Sequence, residues 1–144
     1  MKNISSNTVI TCRNITKLFN QSSDAALKEV SFKVTAGELV GIVGPSGSGK
    51  TTLLQIISGL EFPTNGSVQV DGIDISSLGN DAMSDFRKQN IGFVFQFFNL
   101  QPHLSTIDNV ALPGLYSKRK RNDVYEFAEE ILVNLGLGDK LHSK

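Results

Sequence analysis

Cysteine occurs once in the 144 residues, at Cys12, and tryptophan not at all. A single thiol closes no internal disulfide and builds no cysteine cluster for zinc. With two histidines in the whole sequence, His103 and His142, a histidine-rich metal site is excluded as well. Net charge is missing too. Fourteen Lys and Arg stand against fourteen Asp and Glu, which argues against a general nucleic-acid binder, since that function needs a basic footprint. Long hydrophobic runs are also lacking. The longest, Leu39 to Val43 and Ile91 to Phe98, are interrupted by Gly or Gln and fall far short of the ~20 residues that span a bilayer. The opening stretch MKNISSNTVITCRN has no apolar segment long enough for a secretion signal. The cytosol is then the simplest compartment, and any membrane role passes through a partner.

What is present is an ordinary soluble composition, 40% hydrophobic, in a length that suits one compact domain or less. Val9 to Phe19 is rich in Val, Ile and Thr and reads as a strand ending at a turn over Asn20, Gln21 and Ser22. Val30, Phe32 and Val34 alternate with Ser31 and Lys33, the pattern of a half-buried strand. Ala36, Gly37 and Glu38 form a turn, and Leu39 to Val43 reads as a short strand buried on both faces of a sheet. Leu53, Leu54, Ile56, Ile57 and Leu60 then repeat at helical spacing, predicting a helix from about Lys50 to Ser58 or Gly59. Pro63 to Gly66 is turn chemistry. Ser67 to Val70 and Ile73 to Ile75, joined by Asp71 and Gly72, predict a hairpin. Asp81 to Lys88 reads as a short helix and Ile91 to Phe95 as another apolar strand. Pro102 and Pro113 bracket a mixture of loop and short helix. Val124, Phe127, Ala128, Ile131, Leu132 and Leu135 predict an amphipathic helix, capped by Asn122 or Asp123 and ended by Gly136. Strands with helices between them make this an α/β chain.

The chemistry sits in Gly44-Pro45-Ser46-Gly47-Ser48-Gly49-Lys50-Thr51, a complete G-x-x-x-x-G-K-[ST] phosphate-binding loop. Glycines permit backbone angles closed to other residues and let the chain approach an anion. Successive N–H groups then form an anion nest, and the helix starting at Lys50 adds the positive end of its dipole. Lys50 supplies a point charge for β- and γ-phosphates. The Thr51 hydroxyl can ligate Mg²⁺, and Thr52 can donate to an α-phosphate oxygen. By itself such a loop does not choose between a transporter ATPase, a small-molecule kinase and a GTPase.

Three further stretches narrow the choice: TKLFNQSSDAALKEVSFKVTAGELVGIVGPSGSGKTTLLQIISGLEFPTNGSVQVDG, IGFVFQFFNLQPHLSTIDNVALP, and a helix ending in LGLGDKL. Together they resemble the first half of the nucleotide-binding domain of ATP-binding cassette (ABC) transporters. The wording from Phe93 to Pro113 is most similar to the branch serving lipoprotein-release, macrolide-export and cell-division permeases. The resemblance implies a P-loop NTPase fold with an N-terminal antiparallel β subdomain. It makes residues 8–144 the N-terminal portion of such a domain, with a helical subdomain beginning about 97. It implies that Phe19, where the family favours Tyr, stacks on adenine, and that Gln96 reaches Mg²⁺ and the attacking water. It places a membrane permease against residues 97–113, where Phe97, Phe98 and Leu100 are much apolar surface for a loop, although packing within the helical subdomain accounts for them equally. Further implications are ATP and Mg²⁺ as cofactors, a homodimer of cassettes, and a peripheral position on the inner face of the cell membrane through the permease.

Other features read as structural. Lys118 to Arg121 is a basic run on a solvated face, with anionic lipid as the alternative. Asp71 and Asp74 belong to a turn, and Cys12 is a small buried residue. The departures from the family are an LSGGQ signature, a run of four aliphatic residues ending in Asp-Glu, and a downstream switch histidine, none of which occurs among the 144 residues. The expectation is therefore a truncated cassette with an incomplete central sheet. Leu39 to Val43 and Ile91 to Phe95 would lack neighbours, and the chain would bind nucleotide but hydrolyse it poorly or not at all. The alternatives are a small P-loop nucleotide kinase and a non-catalytic nucleotide-binding module. Against the kinase, the loop stands well inside the chain, and 118–121 is a poor match to an Arg-rich lid.

Overall fold

A computed structural model of the chain describes residues 7–19 and 24–144. The turn expected over Asn20, Gln21 and Ser22 lies outside the described residues. The remainder resolves into two units, one ending at Gly92 and the other spanning Phe93–Lys144.

The first unit is built on strands whose alternation is visible in the sequence. β1 (Thr8–Lys17) pairs antiparallel with β2 (Leu27–Thr35) on one side and with β3 (Asn65–Val70) on the other, and β3 turns into the short β4 (Ile73–Asp74). The sheet order is β2-β1-β3-β4. Val30, Phe32 and Val34 are half-buried and Ser31 and Lys33 exposed, as period-two patterning requires. The 3-10 turn Ile75–Ser77 follows β4, with the Asp74 carboxylate accepting from the Ser76 N–H at 3.0 Å. Two helices complete the unit: α1 (Lys50–Ile57) and α2 (Asn80–Asn90). The core joins Cys12, Ile15, Leu27 and Val68 from the strands to Leu53 and Ile56 of α1 and Met83 and Phe86 of α2. Burying a side chain such as Ile56 contributes about 1.5–3 kcal/mol, so α1 is held by its packed face more than by its eight residues of helix propensity.

The second unit is a helical pair. α3 (Thr106–Leu115) and α4 (Arg121–Asn134) bury Ile107 and Ala111 against Val124, Ala128 and Leu132. Ser105 caps α3 in a reciprocal capping box with Asp108, and the Tyr125 hydroxyl of α4 donates to Asp108 Oδ1 at 2.9 Å. The Ser105 and Tyr125 hydrogen bonds hold the Asp108 carboxyl below its usual range. The chain end returns to α3: the Thr106 and Ile107 N–H groups donate to the Ser143 and Leu141 carbonyls. No helix among the described residues is long and apolar enough to cross a membrane.

Four sequence expectations are corrected. Leu39 to Val43 and Ile91 to Phe95 are not strands, because neither finds a ladder partner among the described residues. Their apolar character remains while the burial does not: Leu39 is 99% and Val43 91% exposed, although Ile42 and Ile91 still pack on the first core. Pro113, expected to close the stretch of loop and short helix, lies inside α3, which runs on to Leu115. Its position in the last turn limits the damage to the one hydrogen bond its missing N–H would have made. The N-cap of α4 is Lys120, not Asn122 or Asp123. The helix starts earlier because Arg121 is already helical, its guanidinium 5.4 Å from the Tyr125 ring centre one turn on.

Cys12 provides a test of the first core. Burial pushes its thiol from the ordinary 9.0 up to about 11. The folded chain therefore holds a proton that the unfolded chain releases first, and stability falls as pH rises from about 9 to about 11. Urea midpoints across that window should decline more steeply for the natural chain than for Cys12→Ala. Equal slopes would show that the thiol is not desolvated.

Candidate functional site

Residues 46–52 and Ala26 line a cavity of about 240 Å³ at the N-terminus of α1. The loop is shaped by Gly47 and Gly49, which adopt φ of +78° and +87°. Gly49 has a second constraint. A Cβ there would come within 2.5 Å of the Ala26 carbonyl oxygen and 2.9 Å of Leu27 Cδ2. The loop therefore lies directly against the start of β2. The Ala26 N–H in turn donates to the Lys17 carbonyl at the end of β1, at 2.8 Å. Through these contacts the antiparallel sheet sets the position of the phosphate-type loop.

Electrostatically the site is a cluster of donors. Gly49 occupies the N-cap of α1 without any side-chain cap, and the first turn carries no acidic residue. The leading N–H groups of a helix have no partner within it, so here they face the cavity with the positive end of the helix dipole. Lys50 Nζ donates to the Gly44 carbonyl at 2.9 Å and the Pro45 carbonyl at 2.7 Å. An ammonium has three donors, so Lys50 is tethered to its own loop with capacity left for an anion. The Ser48 N–H closes a turn onto the Pro45 carbonyl at 3.3 Å. Thr51 is exposed and Thr52 half-exposed on the first turn of α1. Backbone amides, one ammonium and two hydroxyls at a helix start suit a polyphosphate.

The structure thus gathers Ser46, Gly47, Ser48, Gly49, Lys50, Thr51 and Thr52 around one cavity, and connects Gly44 and Pro45 to it through Lys50. Phe19 follows β1 two residues beyond Lys17 and is 43% exposed. Gln96 belongs to the second unit, exposed at a bend after the unpaired segment that ends at Phe95. In that unit Phe93 and Phe95 stack their rings 5.4 Å apart, whereas Phe97, Phe98 and Leu100 are exposed. The expected alternative of packing within the helical subdomain is not what these three side chains do in the second unit.

Sequence reasoning missed Ala26. A methyl side chain carries no chemistry and belongs to no motif, and only its place beside Gly49 identifies it. The same holds for the partnership of Lys17 and Glu61, whose atoms meet at 2.8 Å although the residues are far apart in the chain. The spacing of neither pair carries a periodic signal.

Known proteins resemble the chain over most of its length. The family profile described as ABC transporter matches residues 27–144. An uncharacterized ABC transporter ATP-binding protein of Thermotoga maritima is 45% identical over 119 residues, covering 83% of this chain and 51% of that protein. The macrolide export ATP-binding/permease protein MacB of Aggregatibacter actinomycetemcomitans is 39% identical over 138 residues, covering 94% of this chain and 21% of that protein. Among solved structures, the dimeric post-hydrolysis state of the ATP-binding cassette MJ0796 bound to ADP and Pi superposes with a TM-score of 0.80 at 37% identity, over 92% of this chain and 60% of that one. The chain thus spans between about a fifth and three fifths of the length of these relatives.

The contact at Gly49 yields a graded expectation. A Cβ at Gly47 meets open space, so Gly47→Ala carries only the strain of its positive φ, about 1 kcal/mol. Gly49→Ala adds a backbone collision and should cost clearly more, with its urea midpoint falling further than that of Gly47→Ala. Equal midpoints would mean that the loop does not rest on Ala26.

Proposed function

The chain belongs to the ABC transporter family as an ATP-binding domain, and from that premise we propose that its loop 44–52 binds Mg-ATP to power a membrane permease. The observation that carries this reading is the cavity at the uncapped start of α1, lined by amides and hydroxyls and entered by Lys50. Backbone N–H groups from Gly47 to Thr51 would hold the phosphate oxygens, with the Lys50 ammonium between the β- and γ-phosphates and the Thr52 hydroxyl at the α-phosphate. Phe19 would take the adenine on its ring face. The family match sets the nucleotide-kinase alternative aside.

The donor set fits Mg²⁺ as well. Among the described residues no three His, Cys, Asp or Glu side chains converge into a metal site, so a cation here would take its oxygens from Thr51, water and the phosphates themselves. Such ligation is usual for a hard ion that dehydrates reluctantly. When bound, Mg²⁺ would neutralise charge building up on the β- and γ-phosphate oxygens. Gln96, a neutral amide on an exposed bend, can turn its oxygen toward a cation or a water without bringing a second negative charge.

The proposal extends to organisation. Residues 8–144 would form part of a cassette whose helical subdomain starts about 97, and the exposed Phe97, Phe98 and Leu100 would meet a cytoplasmic segment of the permease. Large apolar side chains held in water fit a partner surface. The domain would then lie on the inner face of the membrane through that partner and pair with a second cassette. No LSGGQ and no Asp-Glu pair after an aliphatic run occur in these residues, so binding is the activity they carry, with hydrolysis weak or absent.

Calorimetric titration of the full 144-residue chain tests the reading. Mg-ATP should bind. Lys50→Ala should weaken it by about 10- to 100-fold, the loss expected for hydrogen bonds from a charged donor. Thr51→Ala should remove most of the gain that Mg²⁺ confers over metal-free ATP. Identical titrations for the natural chain and Lys50→Ala would overturn the assignment.

A further inference from the structure

We propose that Lys17 is a positioning residue that presents the Phe19 ring to the purine base, with Glu61 and the Phe62 carbonyl as its anchor. The inference rests on the reading that Phe19 stacks on the base, and it assigns the device that makes that stacking effective. Lys17 is the last residue of β1, and its side chain is 12% exposed. Its ammonium donates to Glu61 Oε1 at 2.8 Å and to the Phe62 carbonyl at 2.8 Å, and it lies 4.9 Å from the centre of the Phe19 ring. The anchor is itself fixed, since the Phe62 N–H donates to the same Glu61 oxygen at 2.9 Å. These bonds from Lys17 and Phe62 hold the Glu61 carboxyl below its ordinary range.

Position connects this cluster to the nucleotide cavity. The Lys17 carbonyl accepts the N–H of Ala26, a residue of the cavity wall. The segment carrying Phe19 therefore leaves the sheet one hydrogen bond from that wall. Leu18 is tied down separately, its N–H donating to Thr64 Oγ1 at 3.0 Å. The backbone on the near side of the ring is fixed, and the ammonium occupies one ring face, while Phe19 as a residue remains 43% exposed.

The chemistry favours this arrangement. Aromatic faces are electron-rich, and two such faces stack best when one is depleted. A cation on one side of Phe19 draws electron density toward itself and leaves the opposite side better suited to an electron-rich purine. It also holds the ring angle, which a phenylalanine without a hydroxyl cannot fix by its own hydrogen bond. Lys17 touches no phosphate in this scheme and acts on the base alone.

Two probes separate that role from a general effect on the loop or the fold: Mg-ATP and Mg²⁺ with inorganic tripolyphosphate, each titrated calorimetrically into the full 144-residue chain. Lys17→Met should weaken Mg-ATP about two- to five-fold, the scale of one cation–π contact, and leave tripolyphosphate unchanged. Lys17→Arg should restore ATP affinity. Glu61→Ala, which keeps the lysine but removes its anchor, should give the same selective loss and guards against a folding defect in Lys17→Met. In a Phe19→Ala background Lys17→Met should have no further effect. Equal losses for both probes, no loss for either, or full additivity with Phe19→Ala would overturn the proposal. If Phe19→Ala weakens ATP while Lys17→Met does not, the lysine role alone fails. If Phe19→Ala itself leaves ATP binding intact, base stacking fails, and the positioning role fails with it.

Discussion

The constraint on which the site depends is the approach of Gly49 to the Ala26 carbonyl, a place with no room for a Cβ. An anion nest is useful only if its N–H groups hold their directions before the anion arrives, since ordering a loop on binding consumes affinity. Here the ordering is done by the antiparallel sheet. β1 and β2 pair along most of their lengths, the Lys17 carbonyl holds Ala26, and Ala26 stands against Gly49. On its other side the loop continues into α1, which Leu53 and Ile56 fix in the core. The loop is therefore clamped at the glycine and at the helix, and the donors between them point into a cavity whose walls are set by packing.

That construction explains which parts were legible in the sequence. The phosphate loop was readable in full because its requirements are local: glycine where φ is positive, lysine and threonine at the first turn of a helix. β2, α1 and α4 were readable from periodicity, as each has one more buried and one more exposed face, and β1, β3 and α2 from composition and flanking turn residues. Leu39 to Val43 and Ile91 to Phe95 illustrate the limit. Their apolar runs indicate strands buried on both faces, but a strand exists only through its neighbours, and a run of Leu, Val and Ile does not say whether neighbours are in place. In the described residues neither segment has a ladder partner, and most of their side chains are exposed. The early start of α4 at Arg121 and the survival of α3 through Pro113 depend on a ring contact and on distance from the helix end, neither of which a capping rule contains.

The candidate site divides along the same line. The residues proposed to touch phosphate occupy consecutive positions and are legible as a word. Those proposed to serve the base come from separate stretches of chain, as Lys17 meets Glu61 and Phe62 only after β1 and the turn before β3 have come together. Phe19 could be read only through resemblance to a family, and nothing in its own surroundings in the sequence distinguishes it from a strand-end aromatic. The structure adds a physical distinction, namely an ammonium over a half-open ring. A core phenylalanine would bury both faces in hydrocarbon, where a cation is costly to keep.

Charge neutrality overall and strong local charge at the site follow from one principle. A nest of amides and a single lysine concentrate positive potential over a few ångströms, a reach suited to a bound polyphosphate and too short to attract nucleic acid at long range. Some of the remaining charge sits in pairs and caps, such as Lys17 with Glu61, Lys88 with Asp85, and Asp108 at the start of α3. Exposed pairs like the second contribute little to stability. The Lys17 pair differs because its ammonium is largely enclosed and makes a second bond to the Phe62 carbonyl, so removing the carboxylate strands a shielded cation. Enclosure makes the ion pair directional, and direction is what a side chain needs if it is to hold an aromatic ring at one angle beside a phosphate loop.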